Sequence, residues 1–262
     1  MHGRCRLCLE QSELQDSHLL PRALYRMIGL GSDRLHPDTV QLTLLGSKKS
    51  SEQARRQILC SPCEQCLNEN GEQWVLRNCY RGRGRFRLRV ELRKRIPLSG
   101  AEIEAYAGSE EEVAKLGHFC LGVVWRASLR DWFCRGEKYE QADLGPYQEE
   151  IRKYLKGDGT VPNHVGVMVI LSALERPVLA MSLPSSYRNG SHHCHRFHIP
   201  GMTFVASVGG KEEDPLSVFL PPHPIFITTE GDKRVQTEML ALLGKLPPRG
   251  FEAPLVEGTE KL

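Results

Sequence analysis

Two C-x2-C pairs, Cys5-Arg6-Leu7-Cys8 and Cys60-Ser61-Pro62-Cys63, stand far apart in the first quarter of the chain. Together they offer four thiolates, the ligand count of a closed, tetrahedral structural zinc site. Such a site forms only if the amino-terminal run folds back onto the segment leading into Cys60. Nine cysteines in 262 residues is an odd number. With four at metal spacing, the chain reads as a reduced, intracellular and cytoplasmic zinc protein rather than a disulfide scaffold. Cys66 continues the series to C-x2-C-x2-C and is an alternative ligand, while Cys120 and Cys134 read as core thiols.

The second pair carries helix-start chemistry. Ser61 suits an N-cap, Pro62 the first helical position, and Glu64 would complete an S-x-x-E capping box. Cys60 and Cys63 therefore belong at the start of a helix, facing a knuckle turn made by Cys5 and Cys8, an arrangement known as a treble clef. Between them, Ser17-His18-Leu19-Leu20-Pro21 reads as a short extended segment that Pro21 ends, which places His18 beside the zinc module as a candidate general base.

These elements, C-x2-C, then Ser-His-Leu-Leu-Pro, then Leu59-Cys60-x2-Cys63-Glu64, resemble the HNH nucleases of the ββα-metal class over the first third of the chain. The resemblance implies that Cys5, Cys8, Cys60 and Cys63 hold a structural Zn²⁺. It implies that His18 activates water for attack on a phosphodiester beside a catalytic Mg²⁺ or Mn²⁺. It also points to a bacterial or phage setting such as host defence. This chain departs from the family pattern at three places: Glu64 stands where a metal-binding His is usual, Ser17 where an Asp is usual, and the middle Asn falls near Arg55 and is absent. Glu64, Asn68 and Glu72 recur every fourth residue, and in an α-helix they share one face. Two carboxylates and an amide are hard ligands suited to Mg²⁺ or Mn²⁺. Alternatively, Glu64 is only a cap and Glu72 only a solvated helix residue.

From Arg77 to Arg95 nine basic residues stand against Glu91 alone, a local charge of +8 in a chain whose net charge is +3. Arg81, Arg83, Arg85, Arg87, Arg89, Arg93 and Arg95 occupy odd positions, while Phe86, Leu88, Val90 and Leu92 occupy even ones. Period-two alternation predicts a strand, with one guanidinium about every 6.6 Å along its outer face, suited to nucleic-acid phosphates.

Further on, helices are expected over Arg22 to Leu30, from Ser109 through Ala127, over Pro146 to Lys156, and over Val235 to Leu246. Strands are expected from Val40 to Leu45, Val165 to Leu171, Pro177 to Leu183, Met202 to Val208 and Pro224 to Thr229. His192-His193-Cys194-His195, with His198 nearby, is a second candidate metal run or a polar loop entering a strand. No apolar run reaches the roughly 18 residues of a membrane span. The fold class that follows is α+β: a zinc module with an Arg-rich strand over residues 1–97, a larger α+β domain over 98–246, and a frayed tail over 247–262. The leading functional expectation is a metal-dependent nuclease acting on nucleic acid. The rival is a non-catalytic zinc module that binds nucleic acid or protein. A third reading puts the activity in the second domain, where no recognisable catalytic set is found.

Overall fold

The computed structural model describes residues 1–31, 40–43, 46–49, 53–95, 105–106, 108–129, 132–134, 137–138, 141–172, 174–177, 179–210 and 225–228. The chain opens as a hairpin, with β1 (His2–Arg4) antiparallel to β2 (Gln11–His18) and Cys5 to Cys8 in the turn between them. Bonds from the Cys5 N–H to the Glu10 carbonyl (2.8 Å) and from the Leu9 N–H to the Cys5 carbonyl (3.0 Å) close that turn. After Pro21 come α1 (Arg22–Gly31) and the hairpin of β3 (Val40–Thr43) with β4 (Gly46–Lys49). The chain then returns beside β2 as β5 (Arg55–Cys60). This completes a three-stranded sheet of order β1-β2-β5, with Leu14 opposite Cys60 and His18 opposite Arg55.

Helix α2 (Ser61–Leu67) continues through a π-helical segment (Asn68–Glu72) into α3 (Gln73–Asn78). It starts one residue earlier than expected, with Cys60 as the N-cap and no side-chain cap. The predicted capping box does not form: with Cys60 at the N-cap, the third helical residue is Cys63 rather than Glu64, and the Cys60 N–H is donated to Cys5 Sγ at 3.4 Å. The π segment also breaks the four-residue spacing between Asn68 and Glu72, since a wider turn rotates every later side chain, while Glu64 and Asn68 stay one α-turn apart. At Gly71 the segment passes very close to the later helix that carries Phe119. A Cβ there would lie 2.7 Å from the Phe119 amide nitrogen and 3.1 Å from the Lys115 carbonyl oxygen, so two helices cross here backbone against backbone.

The Arg-rich strand is overturned. Tyr80 and Phe86 form a single antiparallel bridge around a tight turn in which Gly82, Arg83 and Gly84 all have positive φ. The chain then forms helix α4 (Arg87–Leu92). Leu88 and Leu92 fit a helical period as well as an alternating one. Both are buried at 1% exposure, whereas Val90, which a strand would bury with them, is 50% exposed.

The organising element is helix α5 (Glu110–Ser128), which starts where Ser109 predicts. Ser109 Oγ accepts from the Glu112 N–H (3.3 Å), and Glu112 Oε2 accepts from the Ser109 N–H (2.7 Å). Glu112 also takes two bonds from Arg95, at 2.7 and 2.8 Å. Every residue from Leu116 to Ser128 is buried, the pattern of a helix packed on all sides. One side meets the π segment and another meets α6 (Tyr147–Lys156), which Gly157 ends at φ +89°. A third side meets the large sheet, where the Phe119 ring stands edge-on to the stacked pair Phe197 and Phe204.

That sheet has the order β4-β3-β10-β11-β12-β9-β13-β6, with β6 (Ala105–Tyr106), β9 (Val165–Leu171), β10 (Ser182–Asn189), β11 (His192–Ile199), β12 (Met202–Gly209) and β13 (Ile225–Thr228). The strand expected at Pro177 to Leu183 begins only at Ser182. The histidine run lies entirely within β11 rather than in a loop. The helix expected at 235–246 and the tail at 247–262 lie outside the described residues. A single cluster of buried apolar side chains runs from Leu7, Leu59 and Leu67 through Phe119 to Phe204. The architecture is mixed α+β, and among the described residues no helix is long and apolar enough to cross a membrane.

Candidate metal centre and adjoining histidine

The hairpin turn and the start of α2 meet at the four cysteines. The sulfurs of Cys5, Cys8, Cys60 and Cys63 all lie within 4.8 Å of one another, those of Cys8 and Cys60 being 3.8 Å apart. Cys5, Cys60 and Cys63 are buried. Thiols this close cannot all ionise. Hydrogen bonding from Cys63, with help from the Cys60 and Cys8 backbone, pulls Cys5 down to about 4. The charge so placed, together with burial, pushes Cys63 up, and burial does the same to Cys60. A divalent cation bound by all four removes that conflict, and four sulfurs in a closed, largely dry cluster are the donor set of structural Zn²⁺. Cys66 is not part of the cluster: its Sγ donates to the Leu155 carbonyl (3.6 Å) and accepts from Asn70 Nδ2 (3.4 Å).

His18 ends β2, half-buried, between Ser17 and Leu19, which are both buried. Its Nε2 is 2.8 Å from Gln53 Oε1, and its carbonyl accepts from Arg126 Nη1 at 3.0 Å. Arg126 comes from α5 and is 2% exposed. Its remaining donors bond the Gly122 carbonyl (3.2 Å) and the Glu72 carboxylate, whose side chain is 12% exposed. One guanidinium thus joins the backbone of the candidate base to a carboxylate on the cysteine-bearing helix. A second arginine, Arg152 of α6, reaches the knuckle in the same way by donating to the Leu7 carbonyl.

Glu64 is half-buried, and its Oε1 is buried with no hydrogen-bond partner among the described residues. Asn68 is exposed. The three helical candidates therefore occupy three environments, and Glu72 is turned to Arg126. The four cysteines are the only close group of His, Cys, Asp or Glu ligand atoms among the described residues.

Arg81, Arg83, Arg85 and Arg87 are exposed around the turn at 82–84, and none of them makes an ion pair among the described residues. Arg89 is different. It is buried, and its guanidinium donates to the Leu174 carbonyl. In β11, His195 Nδ1 shares a 3.0 Å hydrogen bond with Ser186 Oγ, and His198 Nδ1 shares one of 2.7 Å with Thr203 Oγ1. Burial lowers both imidazoles, to about 4 and about 3. These histidines sit in the sheet as neutral, hydrogen-bonded residues.

No family model matches the chain, and neither a curated protein nor a solved structure matches it. Sequence reading missed Arg126 and Gln53. Arg126 had left a signal, a lone cation in the apolar run from Leu121 to Ala127, since such a charge inside a buried helix needs a partner. Gln53 left none.

Proposed function

We propose that the chain is a zinc-stapled, divergent HNH-type nuclease that hydrolyses phosphodiester bonds. The observation that carries this reading is the bridge made by Arg126, which ties the His18 carbonyl and the Glu72 carboxylate together beside a four-cysteine cluster. In this reading Zn²⁺ holds the knuckle to α2 and takes no part in the chemistry. His18 accepts a proton from water, the resulting hydroxide bonds to phosphorus, the bond to the leaving oxygen breaks, and solvent protonates that oxygen.

Glu64, whose buried oxygen lacks a partner, and Asn68 beside it are the residues that would hold Mg²⁺ or Mn²⁺. Such a cation supplies charge neutralisation at the phosphate and at the leaving oxygen. Glu72 acts through Arg126 rather than as a free ligand. Arg81, Arg83, Arg85 and Arg87 bind the phosphate backbone, whereas the buried Arg89 drops out of that set.

A second reading, a non-catalytic zinc module that binds nucleic acid or protein, is favoured by the ion-paired state of Glu72. The test is nicking of supercoiled plasmid and cleavage of single-stranded RNA with Mg²⁺ or Mn²⁺, alongside zinc content. Cleavage lost in His18→Ala, with zinc and unfolding midpoint retained, is the expected result. Binding without cleavage under any of these metals would establish the second reading instead.

A further inference from the structure

The hydrogen bond at His18 Nε2 decides which ring nitrogen carries the lone pair. We propose that Gln53 is the positioning residue that sets the tautomer of His18, making Nε2 the N–H nitrogen and Nδ1 the basic one. The contact is between Nε2 and the carboxamide oxygen of Gln53, at 2.8 Å. That oxygen can only accept, so Nε2 donates, and a neutral imidazole protonated at Nε2 has its lone pair at Nδ1.

The backbone around the pair is fixed on both sides. The Leu19 N–H donates to the Ala54 carbonyl at 2.9 Å, one residue beyond each partner, and His18 stands opposite Arg55 in the sheet. Arg126 holds the His18 carbonyl, and the Tyr25 ring lies tilted across the imidazole with centroids 6.3 Å apart. With the ring so confined, Gln53 is the one described side chain hydrogen-bonded to its nitrogens.

The catalytic consequence rests on the nuclease reading: water must reach Nδ1 for the proton to move. The tautomer itself is a property of the folded chain, with or without substrate. If the carboxamide presented its NH₂ group instead, Nε2 would accept and Nδ1 would carry the proton, so the two arrangements are spectroscopically distinct.

The experiment uses the full-length, zinc-loaded protein labelled with ¹⁵N-histidine, at a pH where imidazoles are neutral. Long-range ¹H–¹⁵N spectra of the wild type, Gln53→Leu, Gln53→Met and Gln53→Glu are compared, and His18 is assigned from the signals missing in His18→Ala. The expected wild-type spectrum shows His18 as the Nε2–H form. Gln53→Glu, whose carboxylate also only accepts, keeps that form, while Gln53→Leu and Gln53→Met show both forms in exchange. An Nδ1–H wild type, or Leu and Met variants with the wild-type spectrum, would overturn the proposal. Should either apolar variant lose zinc, the wild-type spectrum and the other variant still decide. In parallel, turnover should fall about tenfold in Gln53→Leu with KM unchanged and be retained in Gln53→Glu. A wild type that cleaves nothing would remove the nuclease reading while leaving the spectra to judge Gln53.

Discussion

Replacing Arg126 by Met removes a guanidinium that bonds three separate groups. The long apolar stem is largely conserved, so the change isolates the polar head. Left behind are the Glu72 carboxylate, 12% exposed, and the His18 and Gly122 carbonyls. Breaking a buried pair by deleting one member costs about 3–5 kcal/mol, because the surviving charge stays desolvated and unpaired. Glu72→Gln in the wild-type background is milder, about 1–2 kcal/mol, since the amide oxygen still accepts from Arg126. The double variant, Arg126→Met with Glu72→Gln, relieves the stranded charge and should be more stable than Arg126→Met alone. The coupling energy between the two sites is then about 2 kcal/mol. Urea unfolding of the zinc-loaded proteins, with midpoints compared at constant slope, gives all four corners of the cycle. Strict additivity, or a loss below about 1 kcal/mol in Arg126→Met, would mean that the guanidinium does not bridge α5 to the helix that follows the cysteines.

Two further outcomes are expected. Burial lowers His118 and His195 to about 4 from an ordinary value of 6.5. The unfolded chain therefore takes up protons before the fold does. For these two imidazoles stability should be intact above pH 6.5 and be lost as pH drops through the window from 6.5 to 4, by about 3 kcal/mol each, while His198, lowered to about 3, extends the loss below that window. His118→Gln should lose correspondingly less stability across that window by urea unfolding, and an unchanged pH profile would refute the assignment. At the exposed turn, replacing Arg83 and Arg85 by Gln should weaken duplex binding measured by anisotropy. Each should also reduce the slope of log K against log salt by about 0.9, and an unaltered slope would exclude both residues from phosphate contact.

How far the chain could be read in advance depended on whether a feature was local. The cysteine pairs, the helix start at Ser109, the end of α6 at Lys156 and the apolar run of β9 each contain their own explanation within a few residues, and each stands where expected. The arginine segment misled because Leu88 and Leu92 satisfy both a two-residue and a four-residue repeat. Three consecutive positive-φ residues just before them, one of them Arg83, reverse the chain in a way its charge pattern does not announce. The capping box at Glu64 failed because the helix begins one residue early, at the cysteine whose N–H is held by Cys5 Sγ, which leaves Glu64 one position past the capping site. Gln53 and Arg126 acquire their roles only once a loop and a distant helix are brought against His18.

Gly71 is the clearest instance of that dependence on distant packing. It adds no side-chain donor, acceptor or charge, yet the close approach of the two helices depends on its lack of a side chain, and Arg126 rides on one of them. Any Cβ at this position would wedge the helices apart and draw the guanidinium away from the histidine it supports. A methyl group placed far from His18 would thus act as a steric wedge, undoing the Arg126 bridge through geometry alone.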